Sequence, residues 1–236
     1  MPFLTAEWRK LALANYAVDE HVLQKYVPYG TELDRFCGTC YVSLLGFMFK
    51  NTRVLGIRVP MHVDFEEVNL RFYVRYRDAG IWKRGVVFIK ELVPRAALAF
   101  VANSLYKEHY QTVPMGHHWR HIDAELQVEY NWQLGGRKHS ISVVADPASE
   151  EIPAECEAEF ITEHYWGYAR VGETKTYEYE VTHPRWLVYP IRSHRIDVDF
   201  GMVHGKDFAF LNDEKPVSVM LAEGSAITVE RKRVIA

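Results

Sequence analysis

The clearest pattern in this chain is the strict alternation of hydrophobic and polar residues over residues 68–75. A period of two predicts a β-strand, because successive side chains of a strand point to opposite faces. The apolar face consists of Val68, Leu70, Phe72 and Val74. The polar face consists of Asn69, Arg71, Tyr73 and Arg75, with Glu66 and Glu67 just before them. Such a strand either lies at a plain surface or lines a polar cavity inside a curved sheet, and the function depends on which of these holds.

The first half of the chain carries further patterns bounded by turn residues. Strands are predicted over residues 8–16, 40–49 and 82–93, the last as the antiparallel partner of residues 68–76 across a turn at residues 78–80. Helices are predicted over residues 18–27, which end at a proline and a glycine, and over the alanine-rich residues 94–106, which begin with a proline.

The second half reads mostly as hairpins. Residues 119–132 and 138–144 predict one hairpin around Gly135 and Gly136, and residues 217–221 and 226–231 predict a final one around Gly224. Further strands are predicted over residues 174–182 and 186–191, and a short helix over residues 155–163. Many strands joined as hairpins, with few helices and no visible linker, predict a mainly β (α+β) fold in a single domain over residues 1–236.

Composition excludes some classes of function. The 236 residues are 48% hydrophobic and carry a net charge of -3, whereas a nucleic-acid binder that relies on phosphate contacts is usually basic. The chain does not begin with a basic region followed by an apolar stretch, and no apolar run approaches ~18 residues. We therefore expect a cytoplasmic protein with neither a nucleic-acid nor a membrane partner.

Short motifs point away from nucleotide, hydrolase and metal chemistry. G-x-G-x-x-G, the Walker phosphate loop and G-x-S-x-G are all absent from the sequence. Cys37 and Cys40 have no second pair, so ordinary reduced thiols are favoured over zinc. His117 and His121 would lie about 13 Å apart on a strand, which is too wide for one metal ion, so we expect surface histidines and no cofactor. Lys90 is either an amine nucleophile in a cavity or a solvated lysine.

Several segments resemble one known family. They are residues 41–47, 64–74, 85–89, 163–168, His183-Pro184-Arg185-Trp186 and residues 210–212. The chain is similar over nearly its whole length to the uncharacterised bacterial YqjF-like family of the acetoacetate decarboxylase-like superfamily. The resemblance implies a curved, mainly antiparallel sheet or barrel around a cavity. It also implies loss of the Schiff-base lysine, because Tyr110 and Gln111 align with the lysine pair of acetoacetate decarboxylase.

These observations predict a cavity protein that binds a small anionic or carbonyl-bearing molecule. Arg71 is the expected anchor, because a guanidinium pairs with carboxylates through two hydrogen bonds. The predicted acid–base groups are Glu67, Arg71, Tyr110 and His183, and the predicted ligand contacts are Asn69, Arg71, Tyr73, Tyr106, Tyr165, Trp166 and Trp186. Lyase-like or isomerase-like proton chemistry is one hypothesis, and a non-catalytic ligand-binding or regulatory module is another. In a third, Arg71 only pairs with Glu66 or Glu67. A homo-oligomer would cover exposed strand edges.

Overall fold

The computed structural model describes residues 1–95 and 109–235 of the chain. These residues contain sixteen strands and four short helices, which are joined by turns and loops. The strands are β1 Leu4–Val18, β2 Thr31–Leu33, β3 Cys40–Val54, β4 Phe65–Asp78, β5 Ile81–Val93, β6 Tyr110–Thr112, β7 Met115–Ile122, β8 Glu125–Leu134, β9 Arg137–Ala145, β10 Glu150–Glu151, β11 Trp166–Arg170, β12 Thr176–Thr182, β13 Leu187–Tyr189, β14 Ile191–Asp197, β15 Ser218–Val229 and β16 Arg233–Ile235. The helices are α1 Glu20–Gln24, α2 Glu157–Thr162, α3 Phe200–His204 and a 3-10 helix, Lys206–Asn212. Almost all of the helix predicted over residues 94–106 lies outside the described residues.

The large sheet is curved and mostly antiparallel. Its strands follow the order β10-β13-β15-β1-β3-β4-β5-β11-β12-β16, with β2 added beside β4 and β6 beside β5. Only the pairings of β5 with β6 and with β11 are parallel among the described strands. β12 also pairs with β15 at Val181–Val229 and Thr182–Thr228, so the curvature brings two distant strands of the sheet together. The predicted fold class, mainly β with a curved and mostly antiparallel sheet, is confirmed.

A smaller sheet covers one face of the large one. It has four antiparallel strands in the order β14-β9-β8-β7. Its buried side chains, among them Val128, Tyr130 and Ile141, pack in one cluster with Leu44 and Leu70 of the large sheet. The two sheets lie close together at Gly46 of β3, because a Cβ placed there would lie 2.9 Å from Cδ2 of Tyr130. The opposite face of the large sheet carries a second hydrophobic cluster and the candidate site.

β4 divides its side chains between these two faces as its sequence predicts. Val68, Leu70, Phe72 and Val74 lie in the core between the sheets and have no solvent exposure. Arg71 and its polar neighbours point to the opposite face of the large sheet. The antiparallel partner predicted for this strand is also present, as β5.

A β-bulge interrupts the pairing of β4 with β5. Leu70 pairs with Lys90, but Arg71 pairs with Phe88, so Ile89 is the extra residue in β5. After the bulge Glu91 pairs with Asn69 and shares its face, whereas Lys90 lies on the side of Leu70. Of the two alternatives for Lys90, the amine nucleophile in the cavity is therefore wrong.

The predicted final hairpin is also wrong. Residues 218–229 form one continuous strand that pairs with β1 throughout, because Gly224 bends the chain without reversing it. Gly224 has φ +80°, and a Cβ there would lie 2.0 Å from the carbonyl oxygen of Trp8. The positive φ and the close contact with Trp8 both require glycine, and here they occur at a bend within one strand and not at a hairpin turn.

The remaining corrections concern element boundaries. Residues 119–132 are not one strand, since Asp123, with φ 51°, turns the chain between β7 and β8. Helix α1 covers only five residues of the predicted 18–27, and residues 186–191 contain β13 and the start of β14. α3 and the 3-10 helix were not predicted. No helix in the described ranges, 1–95 and 109–235, has the length and hydropathy needed to cross a bilayer.

Candidate functional site

A cavity of about 160 Å³ lies on the face of the large sheet that the small sheet leaves uncovered. Most of its wall is apolar and aromatic, with contributions from Trp8, Phe47, Phe49, Phe65, Phe88 and Trp186. Its polar lining residues are Glu67, Asn69, Arg71, Glu91, Tyr110, Thr162, His164, Tyr179 and His183. A few polar groups in an apolar concave wall are typical of small-molecule sites. Along β4 the lining residues are the apolar Phe65, then Glu67 and Asn69, and then the charged Arg71.

Arg71 is buried and its charge has no ion-pair partner within the described part of the chain. Arg71 is only 6% exposed, and its Nη2 donates a long hydrogen bond of 3.4 Å to the carbonyl oxygen of Ile161. Nε has no acceptor among the described residues. Glu66, offered by the sequence as a partner, instead contacts Nδ1 of His117 at 2.7 Å. No carboxylate oxygen of residues 1–95 or 109–235 lies within 4.0 Å of the guanidinium, so the purely structural hypothesis for Arg71 is wrong.

Glu67 is buried beside Arg71 and keeps a carboxyl group that changes charge near neutral pH. Its two oxygens accept hydrogen bonds from Nδ2 of Asn69 at 2.8 Å and from the hydroxyl of Tyr110 at 3.1 Å. Burial raises the pKa of Glu67 to about 7, and it outweighs these two hydrogen bonds and the nearby Arg71 charge, which lower it. A carboxyl group with such a pKa can both accept and donate a proton at neutral pH.

Tyr110 and Glu91 complete this polar wall. Glu91 of β5 is 1% exposed. It pairs with Asn69 of β4 on one side and with Tyr110 of β6 on the other. Burial, together with the charges of Glu67 and Glu91, raises the pKa of Tyr110 well above its ordinary value. Tyr110 therefore remains a neutral phenol and acts as a hydrogen-bond donor.

His164 is a site residue that is not among the predicted acid–base groups or ligand contacts, although the predicted contacts Tyr165 and Trp166 follow it directly in the sequence. It precedes β11, lines the cavity and is 7% exposed. Nε2 lies 3.2 Å from Oδ2 of Asp34, which also accepts a 2.7 Å hydrogen bond from Nε of Arg84. Burial lowers the pKa of His164 to about 4, so the ring is neutral at pH 7. Because Asp34 and Arg84 are distant in sequence, no local pattern could have revealed this arrangement.

His183 and Trp186 form one aromatic wall of the cavity. Their rings stack at 4.2 Å between centroids, and the ring of Tyr165 lies 4.7 Å from His183 on another side. Burial lowers the pKa of His183. Trp166 also lines the cavity, whereas Tyr165 does not and donates its hydroxyl to Glu163.

Tyr73 supports the cavity without lining it. It is 1% exposed, its hydroxyl is 2.6 Å from Oγ of Ser43, and its ring lies 5.7 Å below the Arg71 guanidinium carbon. The structure thus brings together seven of the predicted site residues: Glu67, Asn69, Arg71, Tyr110, Trp166, His183 and Trp186. Tyr106 falls outside the described residues.

Three comparisons place the chain among known proteins. The sequence profile of the DUF2071 family, described as an uncharacterized conserved protein, matches residues 5–226. The uncharacterized protein YqjF of Bacillus subtilis is 27% identical over 192 residues, which cover 77% of this chain and 73% of that protein.

Solved structures share the fold at low sequence identity. The enduracididine biosynthesis enzyme MppR complexed with pyruvate superposes with a TM-score of 0.68 at 12% identity, covering all of this chain and 91% of the other. The acetoacetate decarboxylase of Legionella pneumophila superposes with a TM-score of 0.65 at 15% identity, covering all of this chain and 88% of the other. The chain therefore belongs to the DUF2071 family and has an acetoacetate decarboxylase-like fold.

Proposed function

We propose that this protein binds a small carboxylate or carbonyl compound in the cavity, with Arg71 as its anchor, and moves a proton on it with Glu67. The observation that supports the anchor is the buried guanidinium whose Nε lacks an acceptor among the described residues. An arginine stays charged at any physiological pH, and an unpaired buried charge is strongly destabilising. An anionic ligand supplies the missing partner. The complex of MppR with pyruvate, a small oxo acid, is in keeping with this class of ligand.

Glu67 supports an enzymatic role over binding alone. It is close enough to Arg71 for the guanidinium charge to lower its pKa, and burial holds that pKa near 7. With a carboxylate on Arg71, the ionised Glu67 takes a proton from the carbon next to the carbonyl group. The C–H electron pair then forms a carbon–carbon double bond, and the π pair of the carbonyl group moves onto its oxygen to give an enolate. The hydroxyl of Tyr110 donates its single hydrogen to Glu67 and so stabilises the ionised form of this base. Return of the proton to the opposite face of the same carbon gives isomerase-like chemistry. Lyase-like chemistry follows where the enolate instead expels a leaving group, with its electron pair, from the next carbon on the side away from the carbonyl group.

Arg71→Met tests the anchor, because methionine keeps an apolar buried side chain without the charge. Short oxo and hydroxy acids at 100 times their dissociation constants should stabilise the wild-type protein by about 2.7 kcal/mol in thermal unfolding, and the variant not at all. Arg75→Met is the matched control, since Arg75 lies on the same strand and pairs with Glu32 at the surface. Equal shifts in the Arg71→Met and wild-type proteins would remove the anchor.

Exchange of the carbon-bound proton in D2O tests the enzymatic role. Wild-type protein should exchange it on a bound oxo acid, as followed by NMR, and Glu67→Gln should lose at least a hundredfold of that rate. Binding without exchange in the wild-type protein would leave the non-catalytic ligand-binding module as the function.

A further inference from the structure

Two buried acceptor atoms of residues that line the cavity lack hydrogen-bond donors within the described part of the chain. They are Nδ1 of His164 and Oδ1 of Asn69, and both residues are more than nine-tenths buried. Oδ1 of Asn69 is left over because Nδ2 of the same amide donates to Glu67. A buried polar atom without a partner is costly, so these atoms call for a donor from a ligand.

The tautomer of His164 follows from its neighbours. Burial alone would raise the pKa of Asp34, but hydrogen bonds from His164 and Arg84 lower it, so Asp34 is an ionised acceptor. Nε2 of His164 must then carry the hydrogen that points to Asp34, and in a neutral ring Nδ1 keeps its lone pair. The rings of Tyr73 and Phe160 lie 4.7 and 5.1 Å from the imidazole and hold its orientation. Nδ1 is thus a fixed hydrogen-bond acceptor.

The donor that Nδ1 requires lies near the carboxylate site. Arg71 is close enough for its charge to act on His164, and both residues line the same cavity. A hydroxyl group fits this position better than an ammonium group, because a second positive charge beside Arg71 is disfavoured. Around these groups the wall is aromatic, with Trp8, Phe47, Phe49, Phe65 and Phe88.

We propose that the ligand is a hydroxycarboxylic acid with an aromatic or bulky aliphatic substituent. Arg71 binds its carboxylate, Nδ1 of His164 accepts a hydrogen bond from its hydroxyl group, and the aromatic wall holds the substituent. Asp34 and Arg84 are positioning residues that fix the imidazole. This inference rests on the proposed function, because it uses the same anchor.

Four compounds that differ by single groups test the proposal by calorimetric titration of the full-length protein. They are 3-phenyllactate, 3-phenylpropionate without the hydroxyl, phenylpyruvate with an oxo group in its place, and lactate without the phenyl ring. Phenyllactate should bind at least about tenfold tighter than each of the other three, because each lacks one matched contact. Phenylpropionate or phenylpyruvate binding as tightly as phenyllactate overturns the role of His164, and lactate binding as tightly overturns the role of the aromatic wall.

A variant separates His164 from the remaining polar wall. His164→Leu should reduce the preference for phenyllactate over phenylpropionate to about twofold or less, while both still require Arg71. Asp34→Asn, which keeps the shape but removes the charge that fixes the tautomer, should reduce the preference in the same direction even if His164→Leu does not fold. An unchanged preference in Asp34→Asn overturns the assignment. If the four acids bind alike through Arg71, this inference fails and the proposed function stands; if none binds, the anchor itself fails.

Discussion

At the scale of single residues, the site depends on polar groups that are buried without full neutralisation. Arg71 retains a charge without a carboxylate within 4.0 Å in the described residues, and Glu67 has a raised pKa because burial outweighs its two hydrogen bonds. Proteins usually bury charged groups only as satisfied pairs. The exception here lies in the cavity, where a ligand can complete the pairing.

The raised pKa of Glu67 predicts a pH-dependent contribution to stability. Between its unfolded pKa near 4.5 and its folded pKa of about 7, the folded protein binds more protons, so stability falls as pH rises. Glu67→Gln removes this dependence. Urea unfolding should therefore show the wild-type protein losing about 2–3 kcal/mol relative to the variant between pH 5 and pH 8, at 1.36 kcal/mol for each pKa unit.

A surface carboxylate provides the control for that measurement. Glu32→Gln, at an exposed position of β2, should show a much smaller change over the same pH range. A constant difference between the wild-type and Glu67→Gln proteins from pH 5 to pH 8 would show that Glu67 is already ionised at pH 5.

At the scale of elements, the sequence predicts local patterns well and pairings between distant segments poorly. The alternation over residues 68–75 is contained in one strand, and it gives both faces of β4 correctly. The bulge at Ile89 and the bend at Gly224 depend on the strand next to them, so neither is visible in the local sequence. The site follows the same division, because the lining residues of β4 were predicted whereas the contacts of His164 and Arg84 with Asp34 were not.

Gly224→Ala should destabilise the protein by roughly 2–4 kcal/mol. The new methyl group would meet the backbone of Trp8, and φ +80° is strained for alanine. Gly172→Ala is the matched control, because nothing lies within 4 Å of a Cβ there and its φ is not in the left-handed region. Chemical denaturation of the two variants measures the difference; equal stabilities would mean that β15 shifts at no cost.

At the scale of the whole molecule, α3 and the 3-10 helix pack on the core between the two sheets. Phe200, Val203, Phe208 and Leu211 belong to that core. His204, which ends α3, is 6% exposed, and neither of its ring nitrogens has a partner in the described part of the chain. Burial lowers the pKa of His204 to about 3, with Lys90 and His139 adding smaller effects. The core between the two sheets therefore contains an imidazole that stays neutral at pH 7, because burial disfavours its charged form.

His204→Leu should make the protein more resistant to acid. Between pH 6.5 and pH 3 the unfolded chain binds more protons at His204 than the folded one, so wild-type stability falls as pH decreases. Relative to the variant, wild-type protein should lose about 2 kcal/mol between pH 7 and pH 5 in urea unfolding. His194→Leu, at an exposed position of β14, is the control. Parallel pH profiles for His204→Leu and wild-type protein would contradict a neutral buried His204.

The bulge in β5 also decides which functional group lines the cavity. With regular pairing beyond Phe88, the side chain of Lys90 would project into the cavity and Glu91 would leave it. A desolvated lysine amine attacks ketones and forms imines, which is electrophilic chemistry that a carboxyl group does not offer. A single additional residue in one strand is thus enough to place the carboxyl group of Glu91 in the cavity instead of an amine that could bond covalently to a ketone.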